Sequence, residues 1–169
     1  MILTSPIHAA VVVLFGALLA AAAFMDVRTF AIPNRLSVAV LALYPAHVLA
    51  SPLPVDWQAG LVVGIAVFIV CTVIFSLGWM GGGDVKLLTA AAVWAGPELL
   101  PHMLFLVAAI GGLHSLLEMI RLGYPRRIWL RFVRAESAAP TTTREIVPYG
   151  VAISAGGLFI AASQLIATI

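Results

Sequence analysis

All nine lysines and arginines of the chain fall in three connectors that separate long apolar runs. Arg28 and Arg35 lie between the first and second runs, Lys86 between the third and fourth. Arg121, Arg126, Arg127, Arg131, Arg134 and Arg144 lie between the fifth and sixth. Such confinement leaves little freedom. Soluble domains are about 45–50% apolar and about 25% charged, whereas this chain is 63% hydrophobic and 9% charged. With a mean hydropathy of +1.12, it has too little polar surface to cover a soluble globule, and the class is integral membrane protein. The high pI of 9.1 does not indicate nucleic-acid binding, because the basic residues are confined as membrane topology requires.

A spanning helix needs roughly 20 apolar residues. The runs predict an all-α membrane protein, one polytopic domain over 1–169. Its six spans fall near 7–25, 33–50, 57–79, 85–95, 99–120 and 148–168. Breakers mark two of the connectors, "SPLPVD" after the second span and "GPELLP" after the fourth. Pro45 is expected to kink the second. By the positive-inside rule the three basic connectors are cytoplasmic and both termini extracytoplasmic. The first run superficially resembles a signal peptide, but no Lys or Arg precedes it, so a retained helix is expected. Between spans five and six, about 125–136, "YPRRIWLRFVRAES" sets Arg126, Arg127, Arg131 and Arg134 against an apolar face. A short amphipathic helix on the inner membrane surface is expected there, its arginines toward anionic headgroups or a docking substrate.

Ionisable groups at membrane depth are costly and call for an explanation. Asp26, in "AAAFMDVRTFAIPNRLS", ends the first span, and Asp84, in "GGGDVK", opens the fourth. Topology puts both at the cytoplasmic edge, though they are far apart in sequence. Two carboxylates at close range cannot both ionise readily and can share one proton. Such a pair can hold a water that one carboxylate deprotonates while the other polarises a peptide carbonyl. Gly81, Gly82 and Gly83 would let backbone approach an extended peptide closely. Structural readings stand beside this one: Asp84 as a helix cap and Asp26 paired with Arg28. Cys71 is the sole cysteine and the four histidines show no metal-ligand spacing, so no metal or other cofactor is called for.

These segments resemble a known family. "GGGDVK" is similar to the GxGD motif of membrane aspartyl proteases, with Asp84 as its aspartate. "DVRTFAIPNRLS" resembles the segment of type IV prepilin peptidases that bears the first catalytic aspartate, here Asp26. "REIVPYGVAISAGGL" resembles the start of their last helix. The size points to the compact branch serving tight-adherence (Flp) pili. The resemblance implies an aspartic endopeptidase of the bacterial inner membrane. It would cleave prepilins or pseudopilins at the cytoplasmic edge and remove a basic leader. Bifunctional members also N-methylate the new terminus and carry a zinc-binding insertion with paired cysteines. No such insertion or CxxC occurs here, so methylation is not expected. Lys86 would contact substrate near the cleaved bond or set the proton balance of the pair; as an alternative it is a topology anchor. Tyr149 and Gly150 would help close the site. Two other classes stay open: a proton-coupled transporter, and a non-enzymatic membrane component of a pilus or secretion assembly.

Overall fold

The computed structural model describes residues 5–121 and 149–167, with only the backbone described at 118 and 119. The expected amphipathic segment at 125–136, with its four arginines, and Pro148 lie outside the described residues. All regular structure among the described residues is helical. The helices are α1 (Pro6–Thr29), α2 (Asn34–Ala50), α3 (Trp57–Ser76), α4 (Gly82–Arg121) and α5 (Tyr149–Ala167). Four of them, α1, α3, α4 and α5, are long and apolar enough to cross a membrane by length and composition.

The expected fourth and fifth spans are the two arms of α4. They meet at Gly96, whose backbone (φ 59, ψ −174) is not helical and suits a residue without a Cβ. Neighbours along the two arms show that the chain reverses there. Gly60 and Gly64 of α3 pack on Val93 of the first arm. In the second arm Met103 lies against Gly156 of α5, while Gly111 lies against Tyr149. The first arm therefore runs away from the start of α5 and the second runs back toward it. Sequence reasoning expected a connector, "GPELLP"; the break is the single residue Gly96, and Pro97 and Pro101 belong to the returning arm. Proline at the start of a helix is tolerated because its missing N–H has no partner there.

The first arm is the centre of the bundle. Val85, Leu87, Leu88 and every residue from Ala90 to Ala95 are buried, and a helix apolar on all sides belongs inside a protein. Trp94 fixes its far end. Phe15 of α1 stacks on the indole at 4.0 Å between centroids, His47 of α2 stacks at 4.8 Å, and the indole N–H donates to the Val40 carbonyl at 2.9 Å. At the near end the connector between α1 and α2 turns through Phe30, which has a left-handed φ of 51°. Ile32 then packs on Gly83.

Lipid tails are as apolar as leucine, so membrane helices associate through close packing rather than by escape from water. The glycines serve that packing. A Cβ on Gly60 would lie 2.5 Å from the Tyr44 hydroxyl and 2.8 Å from the Val93 carbonyl, and one on Gly156 would lie 2.8 Å from Val107. Gly112, by contrast, faces open space. Gly60→Ala is expected to lower stability by about 1–3 kcal/mol, as overpacking does. Gly112→Ala should be neutral or raise it by up to about 1 kcal/mol through helix propensity. Thermal unfolding of the two purified variants in one detergent tests the ranking, and equal melting temperatures would refute it.

Candidate active site

Asp26 and Asp84 reach one end of the bundle from different directions. Asp26 stands in the last turn of α1, which runs on to Thr29 rather than stopping near Met25. Asp84 is the third residue of α4. What joins them is the α1–α2 connector: Ile32 lies 3.1 Å from where a Gly83 Cβ would be. A side chain at position 83 would hold the start of α4 away from the connector that follows Asp26. The result leaves the Asp84 carboxyl within electrostatic reach of Asp26.

Each carboxyl is held by a backbone amide. The Gly150 N–H, at the start of α5, donates to Asp26 Oδ2 at 2.8 Å. Asp26 is only 5% exposed, and a buried carboxylate needs such a donor. A Cβ at Gly150 would fall 2.7–2.9 Å from Oδ2, Cγ and Cβ of Asp26, so glycine is what permits this approach. Asp84 accepts from the Gly81 N–H. Gly81 is the residue before the helix, so Asp84 is not its N-cap, as the structural alternative had it. It makes the reach-back half of a capping box, and its charge is favoured by the helix N-terminus. The partner expected for Asp26 in the other structural alternative also differs: the Arg28 guanidinium lies over the Phe24 ring at 4.4 Å.

The remaining expected residues are distributed unevenly. Gly82 sits against Phe75 of α3, at ordinary contact distance for an added Cβ. The exposed Lys86 donates to Asn34 Oδ1 at 2.8 Å, which ties the first turns of α4 and α2 together beside the aspartates. Sequence reasoning missed Asn34, although it lies inside the "IPNRLS" stretch that attracted notice. Tyr149 turns toward the returning arm of α4, with its ring over Gly111 and its hydroxyl 3.4 Å from Ser115 Oγ. No group of three or more His, Cys, Asp or Glu able to hold a metal occurs among the described residues.

Comparison with known proteins bears on this arrangement. Residues 13–116 match the model of the type IV leader peptidase family, a stretch that contains both aspartates and the three glycines. The chain belongs to the type IV leader peptidase family. A curated relative, the prepilin leader peptidase/N-methyltransferase of Bacillus subtilis (strain 168), is 33% identical over 128 residues, 75% of this chain. That alignment covers 51% of the relative, so the chain spans about half its length. No solved structure matches. In this leader peptidase family member the family match ends before α5, yet α5 supplies the amide that holds Asp26.

The hydrogen bond from Gly150 can be weighed by substitution at its acceptor. Asp26→Leu leaves a buried N–H unpaired and should cost about 1–3 kcal/mol. Asp26→Asn keeps an oxygen acceptor and should cost less than about 1 kcal/mol. Unfolding of both variants in detergent checks this, and equal losses would mean that the bond contributes nothing.

Proposed function

We propose that this chain is a prepilin leader peptidase in which Asp26 and Asp84 act as an aspartyl pair. The observation that carries the reading is their meeting at one end of the bundle, each anchored by a glycine amide, within a chain of the type IV leader peptidase family. Amides that hold both carboxyls leave one oxygen of each available for water and substrate. With one proton shared by the pair, the ionised carboxyl removes a proton from water, and the oxygen so activated adds to the scissile carbonyl carbon. The protonated carboxyl donates to the carbonyl oxygen, giving a tetrahedral gem-diol. The carboxyl that took the water's proton then gives it to the amide nitrogen while the other takes one from a gem-diol hydroxyl, and the C–N bond breaks. An acid and an amine leave, and the pair again holds one proton. No metal or covalent intermediate enters.

The same reading takes the two arms of α4 as separate crossings and α2 as another, which gives six spans with both termini outside. It puts the aspartates at the cytoplasmic edge of a bacterial inner membrane, where the basic connectors favour that side. The substrates would be Flp-type prepilins or pseudopilins, cleaved ahead of their apolar helix. The anionic lipid surface would hold Arg126, Arg127, Arg131 and Arg134. Peptidase activity alone is proposed, because residues 30–33, between α1 and α2, offer no cysteine-bearing insertion. Lys86 is assigned to positioning, through Asn34, rather than to direct contact with the cleaved bond.

Two variants test the chemistry. Asp26→Asn and Asp84→Asn should each lower cleavage of a purified prepilin by at least about 100-fold, within the range expected for loss of a general acid or base. The shortened product is read by mass spectrometry, and melting temperatures near wild type show that folding is retained. Cleavage that persists in either variant would rule out the pair. Gly150→Ala leaves both carboxyls in the sequence but drives a Cβ into Asp26; it should lower cleavage about 10-fold or more, through geometry alone.

A further inference from the structure

At the opposite end of the bundle from the aspartates, a cavity of about 340 Å³ opens between the ends of α2 and α5, the start of α3 and the turn at Gly96. Its volume falls in the range of small-molecule sites. Its chemistry is one-sided. Asp56 and Glu98 line it, and among the described residues no lysine or arginine does. Val93 and Pro97 also belong to this wall. A helix would ordinarily supply the carbonyl of each with an amide four residues on, but those positions are Pro97 and Pro101, which have no N–H to give.

The floor is a buried histidine pair. His8 Nε2 and His47 Nδ1 lie 3.2 Å apart and share one hydrogen. His8 is 1% exposed, lines the cavity, and its Nδ1 has no partner. When His8 Nε2–H donates to His47, that Nδ1 is a buried acceptor in need of a donor. Tyr44 and His47 add aromatic surface, with ring centroids 5.9 Å apart. Membrane histidines unpaired in this way are expensive to keep. Nothing in the proposed peptide hydrolysis uses them, because they sit at the far end of α1 from Asp26.

We propose that this cavity binds an organic ammonium ion whose N–H groups bond to His8 Nδ1 and to the Pro97 carbonyl, which has no amide four residues on. Asp56 and Glu98 balance its charge, and its carbon skeleton lies against the rings of Tyr44 and His47. An anion would meet two carboxylates and no cation. A neutral alcohol supplies one donor where the wall presents several acceptors.

The test uses the full-length protein in nanodiscs of zwitterionic lipid, with empty discs as the blank. Binding of phenethylammonium is compared with that of its neutral counterpart 2-phenylethanol by calorimetry. The charge is removed with Glu98→Gln and Asp56→Asn together. Glu98 is exposed, and asparagine retains the cap that Asp56 gives α3 through the Ala59 N–H. Phenethylammonium is expected to bind at least about 10-fold tighter than 2-phenylethanol, a difference of about 1.4 kcal/mol. The double variant should weaken the ammonium by a similar factor and leave the alcohol unchanged, while Asp84→Asn leaves both unchanged. Three results would each overturn the proposal: equal affinity for the two probes, ammonium binding that survives the double variant, or no binding at about 10 millimolar, a concentration that reveals even very weak complexes. Loss of binding in Asp84→Asn would also overturn it, by moving the ammonium to the aspartate end.

Discussion

The hydrogen bond from the Gly150 amide to Asp26 ties the last described helix to the first, across 124 positions of sequence. It forms only because position 150 has no side chain, and it supplies a buried carboxylate with a donor that no lipid can offer. Much of the bundle follows from the same approach. With α5 pressed on α1 at this point, Gly157 lies on Leu19 and Gly16 on Leu158, so the two helices run antiparallel in contact. The returning arm of α4 then fills the other side of α5, where Met103 and Val107 meet Gly156. One polar contact thus sets the register of an apolar seam that has little directional preference of its own.

The all-helical, membrane-spanning class was legible because apolar length and the confinement of basic residues are properties of sequence alone. That Asp26 and Asp84 lie at one end of the bundle was legible for a related reason: each stands beside one of the basic connectors before any packing is known. What holds the pair was not. "PYG" drew attention as a resemblance, but the Gly150 amide as the donor to Asp26 is a contact between distant segments, and no local pattern encodes its partner. Lys86 is similar, since its bond to Asn34 depends on how the connector folds over Gly83. The histidine pair was invisible for a different reason. His8 and His47 have no ligand-like spacing, and they meet only because the start of α1 packs beside the end of α2.

Polarity divides the molecule into two ends of opposite character. Toward the aspartates lie Arg28, Arg35 and Lys86, and the carboxyls there are served by amide donors. Toward the Gly96 turn lie Asp56 and Glu98, two prolines without an amide and a histidine nitrogen without a partner. Donors accumulate at one end and acceptors at the other, which follows partly from the confinement of the basic residues and partly from proline. Each proline in the returning arm deletes an amide near the turn, so that end loses donors without losing acceptors.

The first arm of α4 connects these ends. Asp84 lies in its first turn and Trp94 in its last, and between them the buried apolar residues are interrupted only by exposed Lys86 and half-buried Thr89. Its position is fixed at the far end by two stacked rings and an indole hydrogen bond, and at the near end by Ile32 on Gly83. A helix clamped at both termini and enclosed along its length has little freedom to slide, because a close-packed interior resists small displacements. That rigidity would suit the proposed aspartyl pair, whose carboxyls would have to keep a fixed separation to share a proton. It also means that adjustment to an extended peptide has to come from the partners around the arm. The Phe30 turn and the exposed Lys86–Asn34 bond are the less enclosed parts of that end.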